Sequence, residues 1–248
     1  MRMICASIII NIRSSYFSLV CFLCILIPMK LTIINKGLVP YGEALAYQKE
    51  LLVKRQNEEI NDTLILLEHP PVITKGKRTA EGDILLPENT LKKQGIGIFE
   101  IDRGGEATYH GPGQIVGYLI FNLYEKQRQL KQFVSNVEEV FIRLLKEEYA
   151  LTADRDLKHR GVWVGDNKIT AIGISIHHAV TMHGFAFNVN TNLDHFNWII
   201  PCGITDRGVT SIKKLTGKLQ DMEKLKELTG KYLVQVFGYD EVEVLHEK

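Results

Sequence analysis

Arg103-Gly104-Gly105-Glu106-Ala107-Thr108-Tyr109-His110-Gly111-Pro112-Gly113-Gln114 is the stretch whose reading decides the fold. Four glycines, one proline, one arginine and one histidine fall within these twelve residues. Apolar runs flank it at residues 97–101 and 115–123. Such runs read as buried strands, which makes the glycines a strand-to-strand connection. Glycine lets a backbone bend sharply and lets a ligand approach with no Cβ in the way. A loop of this kind, carrying Arg103 and His110 between core strands, reads as a ligand-binding loop. The plain alternative is a tight turn with bystander charges.

Cysteine usage adds a second signal. Of the four cysteines, Cys5, Cys21 and Cys24 fall in the first 24 residues, which leaves Cys202 alone in the body of the chain. A lone cysteine there is either a small buried hydrophobe or a nucleophile. Its setting, Pro201-Cys202-Gly203, marks a turn, and a turn can present a thiol at a surface.

With 248 residues, 45% of them hydrophobic and 24% charged, the chain suits a globular domain with a real core. A net charge of +1 lacks the global basic field of a nucleic-acid binder, so no nucleic-acid partner is expected. The N-terminus stands apart. Residues 14–29 carry no charge, 17–27 are nearly all apolar, and Arg2 and Arg13 precede them. A signal peptide fits this pattern. A membrane anchor fits less well, because the run falls short of the ~20 residues a spanning helix needs. The expectation adopted is a third: residues 1–28 are an extension outside the mature protein, translation starts at Met29, and 29–248 form one domain. Met29-Lys30 leads directly into Leu31-Thr32-Ile33-Ile34, a plausible first strand, and no Ala-x-Ala site follows the apolar run. Cys21-Phe22-Leu23-Cys24 has C-x-x-C spacing but no second ligand pair, and reads as a chance match.

The body alternates periods. Strands are expected at residues 31–36, 63–67 and 72–74, and helices at 41–55, 127–149 and 222–237. In the first helix Ala44, Leu45, Leu51 and Leu52 share one face. Residues 161–164 and 168–176 read as a hairpin around Gly165-Asp166-Asn167, with a further strand at 180–189 and an edge strand at 241–245. Strand runs with long helices between them predict an α+β fold, a mixed β-sheet with helices packed on it.

Several blocks together resemble the lipoyl(octanoyl) transferase family. They are Arg103-Gly104-Gly105 with Thr108-Tyr109-His110-Gly111-Pro112-Gly113-Gln114, then Gly161-Val162-Trp163 with Lys168-Ile169, then His183-Gly184-Phe185-Ala186-Phe187-Asn188-Val189, then Pro201-Cys202-Gly203-Ile204. They stand in that family's order. Glu68-His69-Pro70-Pro71 and Asp206-Arg207-Gly208-Val209-Thr210-Ser211 fit as well. The resemblance runs from about Leu31 to the C-terminal helix and leaves out the N-terminal extension. It implies a fold similar to the biotin and lipoate protein ligase catalytic domain. It also implies an acyltransferase that moves octanoyl from octanoyl-acyl carrier protein to a lysine of lipoyl domains. The acceptors implied are 2-oxoacid dehydrogenases and the glycine cleavage H protein, the compartment is the cytoplasm, and no cofactor is needed.

The same resemblance assigns roles. Cys202 is implied as the nucleophile that carries the acyl group as a thioester, and Lys168 as the ammonium that lowers its pKa and then serves as base. A free thiol is only a few per cent thiolate at neutral pH, and a nearby positive charge favours the anion. Substrate contacts are implied for Arg103, Gly104, Gly105, Glu106, Ala107, Thr108, Tyr109 and His110, for Ala171, Ile172 and Gly173, and for Gly184, Phe185 and Ala186. His110 reads equally as a structural hydrogen-bonder or a proton-transfer aid. His177, His178 and His183 lack an acidic or cysteine partner at ligand spacing, so no metal is expected. Arg207, Lys213, Lys214 and Lys218 read as solvated charge, or as a face for an acidic carrier. Two rival enzymes stay open at this stage: an ATP-dependent ligase, although no Walker-type loop is present, and a thiol hydrolase pairing Cys202 with His110 or His183. A non-catalytic carrier-binding module is a weaker third.

Overall fold

The computed structural model describes residues 2–7, 22–124, 129–156, 158–203 and 207–247, with residues 2–7, 22–27 and 202 described by backbone alone. In chain order the elements are β1 (Arg2–Ser7), β2 (Phe22–Ile27), β3 (Lys30–Leu38), α1 (Tyr41–Gln56), β4 (Asp62–Glu68), β5 (Val72–Lys75), α2 (Glu88–Lys93) and β6 (Gly97–Glu100). They continue with β7 (Thr108–His110), β8 (Gln114–Ile120), α3 (Leu130–Tyr149), β9 (Asp154–Arg155), β10 (Gly161–Val164), β11 (Asn167–His177) and β12 (Val180–Asn188). Last come β13 (Gly208–Val209), α4 (Ile212–Thr216), α5 (Met222–Phe237) and β14 (Glu241–His246).

A nine-stranded sheet runs β14-β3-β4-β8-β12-β11-β10-β9, with β13 beside β11. β14, β3 and β4 are parallel, and the ladder from β4 to β9 is antiparallel. This is the mixed sheet of the α+β expectation. Helices cover both faces, so β8 and β12 are buried along their whole length; β8 reads as a continuous apolar run, while β12 alternates in sequence yet is buried on both faces. On one face Phe133, Val137, Phe141 and Leu144 of α3 and Leu225, Leu233 and Phe237 of α5 pack against Leu64, Leu66, Phe185 and Phe187. On the other, Ala44, Leu51 and Leu52 of α1 pack on Ile65, Leu67, Val116 and Met182. The expected face of α1 is therefore the packed one, except that Leu45 is only partly buried. Arg55 is also buried there, bonded to Asp62 at 3.0 Å.

A second sheet, β6-β5-β7, stands beside the first with its own small core of Ile73, Leu91, Ile96, Ala107, Tyr109, Phe196 and Ile199. Here two expectations are corrected. The glycine-rich stretch is more than a connection, because Thr108, Tyr109 and His110 pair antiparallel with Thr74, Ile73 and Val72. Three residues between glycines carry too little periodicity to reveal a strand, and only the partner β5 makes them one. The run at 97–101 is a partly exposed edge strand, β6, and not a buried one.

Helix α3 is described from Leu130; the expected residues 127 and 128 lie outside the described residues. Helix α5 has the expected bounds. Asp221 caps its start by accepting from Lys224 N at 3.1 Å, and Gly238 ends it in the left-handed region. Within the N-terminal extension β2 pairs antiparallel with β1, while residues 1 and 8–21, Cys21 included, lie outside the described residues. No helix among the described residues is long and apolar enough to cross a membrane.

Candidate active site

A cavity of about 810 Å³ lies between the two sheets. The glycine-rich segment lines one wall with Arg103, Gly104, Gly105, Glu106, Thr108 and His110. Ala171, Ile172 and Gly173 of β11 and Gly184, Phe185 and Ala186 of β12 line the opposite wall, and Leu130 and Val134 of α3 reach it as well. Ala107 and Tyr109 point the other way, into the small core. Strand alternation in β7 explains the split.

Two glycines are fixed by close approach. A Cβ at Gly184 would lie 2.1 Å from the carbonyl oxygen of Gly117 on the neighbouring strand. A Cβ at Gly173 would lie 2.9 Å from Cδ of Arg103, closing the gap between β11 and the loop. Arg103 itself is buried and bonded, donating from Nη2 to Thr74 O at 3.0 Å and Thr74 Oγ1 at 2.9 Å, and from Nη1 to Gly104 O. The guanidinium thus clamps the loop to β5. Glu68 of the Glu-His-Pro-Pro block accepts from Gly113 N at 2.7 Å and holds the loop's far end.

Tyr41, His110 and Tyr118 of the cavity lining belong to a neutral polar cluster. His69 Nδ1 donates to Val39 O at 2.6 Å, so its Nε2 accepts from the Tyr118 hydroxyl at 2.6 Å. His110 Nδ1 bonds Gln114 Oε1 at 2.8 Å, and Gln114 Nε2 donates to Asn188 Oδ1 at 2.9 Å. Burial pushes His69 down to about 4 and His110 down to about 3, so both rings are uncharged at neutral pH. Burial raises Tyr41 and Tyr118 in turn, which keeps their hydroxyls protonated. Tyr41 stacks on the His110 ring at 6.2 Å. His110 therefore makes the structural hydrogen bond that was one of its two readings.

The histidines of β11 and β12 do have an acidic partner, supplied from far along the chain. Asp102 accepts from His183 Nε2 at 2.9 Å and from His177 Nε2 at 2.8 Å. Burial lowers His183, so its neutral ring donates to an ionised Asp102. Burial by itself would raise Asp102, but its hydrogen bonds and its electrostatic contacts with His183 and His177 together outweigh that, and the carboxyl sits below its ordinary value. His183 also has a left-handed φ of 63°, unusual for a residue with a Cβ, and among the described residues its buried Nδ1 has no partner. Among the described residues no group of three His, Cys, Asp or Glu is arranged to hold a metal ion.

Lys168 lines the large cavity at the corner where a second, small one begins. Pro201 lines the small cavity and Gly203 the large one, which brings the turn that carries Cys202 to the same corner. The Cys202 side chain and residues 204–206 lie outside the described residues. Trp163 faces Lys168 across the β10–β11 hairpin, its ring centroid 4.9 Å from Nζ. Arg207 leaves the solvated group assigned to it: it donates to Asp156 at 2.7 Å and lies 5.1 Å from the same ring. Lys213, Lys214 and Lys218 are exposed.

Sequence reasoning missed Tyr41, Tyr118, Asp102 and Trp163 as site residues. Tyr118 lay inside an apolar run, and Tyr41 looked like an ordinary first residue of a helix. The signal available was that a tyrosine in a fully buried strand needs a partner for its hydroxyl.

The sequence family described as the lipoyl protein ligase A/B catalytic domain matches residues 40–234. An octanoyltransferase of Desulforamulus reducens is 52% identical over 220 residues, covering 89% of this chain and 96% of that one. One of Alkaliphilus metalliredigens is 52% identical over 217 residues, covering 88% and 100%. Among solved structures, P. falciparum LipL1 in complex with lipoate superposes with a TM-score of 0.70 at 15% identity, covering 87% of this chain and 66% of that one. At that identity the likeness speaks to the fold, and it agrees with the ligase-type domain expected above. The chain belongs to the octanoyltransferases built on the lipoyl protein ligase A/B catalytic domain.

Proposed function

We propose that this chain moves an octanoyl group from octanoyl-acyl carrier protein to a lysine ε-amine of lipoyl domains, through a thioester on Cys202. The acceptors are the lipoyl domains of 2-oxoacid dehydrogenases and the glycine cleavage H protein. The observation that carries this reading is the corner just described. A buried lysine, Lys168, lines a cavity large enough for an acyl chain, and the Cys202 turn passes beside it.

In the first half-reaction the Cys202 thiolate, favoured by the Lys168 ammonium, attacks the thioester carbonyl. The bond from carbonyl carbon to carrier sulfur breaks. Lys168 gives a proton to the departing carrier thiolate. In the second half, the lipoyl-domain amine attacks octanoyl-Cys202, neutral Lys168 takes the amine proton, and the Cys202 thiolate is released. Val116, Ile172, Phe185 and Val134 offer the acyl chain an apolar lining. Burying the tail supplies roughly 5 kcal/mol at ~0.8 kcal/mol per methylene. Residues 29–248 act as the catalytic unit, which N-terminal mass spectrometry of the native protein reads. A thiol that must stay reduced suits the cytoplasm.

Intact-protein mass spectrometry tests the reaction. The full chain, Cys202→Ser and Lys168→Ala are each mixed with octanoyl-acyl carrier protein without ATP, before and after apo lipoyl domain is added. An octanoyl adduct on the unaltered chain that passes to the lipoyl domain, and is absent from Cys202→Ser, is the expected result. Transfer only with ATP and free octanoate would overturn it in favour of a ligase.

A further inference from the structure

Lys168 is 6% exposed, yet among the described residues its ammonium meets no carboxylate and no hydrogen-bond acceptor. What it meets is the face of Trp163, 4.9 Å away. A buried charge ordinarily takes a counter-ion. A carboxylate here would hold the ammonium and cancel its field in the same act. The face of an indole attracts a cation through its quadrupole and carries no net charge.

We propose that Trp163 is the positioning residue for Lys168: its ring holds the ammonium beside the Cys202 turn and leaves the whole positive charge to act on the thiol. The proposal rests on the roles of Lys168 and Cys202 put forward above.

The hairpin is built to make this contact. Gly161 pairs with Ala171 and Val162 with Thr170, so an unbroken ladder would set Trp163 opposite Ile169. A bulge between Val162 and Trp163 shifts the register and sets it opposite Lys168. Bulges beside functional sites commonly re-aim a side chain in this way. The ring is then locked: it is 3% exposed, and its N–H donates to His159 O at 3.0 Å. Two neighbouring charges are paired. Arg207, on the same ring, is bonded to Asp156, and Glu106, packed near Gly203, pairs with Arg78 at 3.1 Å. Lys168 is buried and, among the described residues, has no such partner.

The test weakens the ring face without changing its shape. The chain has two tryptophans, Trp163 and Trp198. In a Trp198→Phe background, mono- to tetrafluorotryptophan is incorporated at position 163, and Trp163→Leu and Lys168→Met are made alongside. The pH dependence of Cys202 alkylation gives the apparent thiol pKa, with melting temperature recorded for each protein. The expected result is a stepwise rise in thiol pKa with each fluorine, reaching roughly half a unit to one unit. Octanoyl transfer should fall several-fold at pH 7 and recover at pH 9, where the thiolate forms unaided. A thiol pKa unmoved by fluorination, while Lys168→Met raises it, would overturn the role of Trp163. A thiol pKa unmoved by Lys168→Met would instead overturn the reading of Lys168 itself. The fluorinated series keeps the test valid if Trp163→Leu fails to fold.

Discussion

Asp102 and His183 stand eighty-one positions apart in the chain and meet at 2.9 Å, the carboxylate accepting from Nε2. The contact ties the residue before the glycine-rich loop to the strand that forms the opposite cavity wall. Asp102→Ala leaves the His183 N–H buried without its acceptor. A loss of about 1–3 kcal/mol is expected, measured as a lower urea midpoint at an unchanged m-value.

The two buried neutral histidines set an acid limit. His69 and His110 are held at about 4 and about 3 when folded, against an ordinary 6.5. Between those values the unfolded chain takes up protons that the folded chain refuses. Their contribution is therefore intact above pH 6.5 and lost as pH falls toward 4 and then 3. Each adds a slope of up to about 1.4 kcal/mol per pH unit in that window. Chemical denaturation at half-unit steps reads the slope, which should be shallower in His69→Gln.

Gly184→Ala places a methyl group 2.1 Å from the Gly117 carbonyl, backbone against backbone, with no flexible side chain to yield. About 3 kcal/mol of destabilisation, or loss of soluble protein, is expected. Gly173→Ala makes a looser approach, 2.9 Å to Arg103 Cδ and 3.2 Å to the Gly104 carbonyl oxygen. It should keep most of the stability while weakening octanoyl transfer about tenfold through a narrowed cavity. Thermal melts and transfer assays on the two variants separate these outcomes.

Arg55 and Asp62 form an ion pair with side chains 4% and 3% exposed, and Asp62 also accepts from Tyr239 at 2.7 Å and from Asn122 N at 2.9 Å. Arg55→Met strips the buried carboxylate of its cation. A cost of about 3–5 kcal/mol is expected from urea unfolding. Arg55→Met with Asp62→Asn together should cost less than Arg55→Met alone.

Much of the fold was legible because burial on both faces leaves a plain mark. β4 and β8 read as apolar runs, and α5 carried both an Asp cap and a terminal glycine. The glycine-rich wall was legible as well, since close approach there excludes a Cβ. Less visible were β7 and the two-faced behaviour of its residues. Thr108 and His110 look into the cavity while Tyr109 looks into the small core. That split depends on pairing with β5, about 35 residues earlier in the chain, which no local pattern records.

By itself the sequence determined the mixed sheet, the glycine-rich loop and Cys202 as a residue to watch, because composition and period are local properties; Lys168 and the segments of the opposite wall were named by the family resemblance. Tertiary structure alone decided that Asp102 serves His177 and His183, that His69 bonds the Tyr118 hydroxyl, and that Trp163 rather than a carboxylate faces Lys168. Those relations hang on strand register and on the meeting of two sheets. A one-residue bulge changes which side chains face each other while leaving almost no trace in the order of the letters.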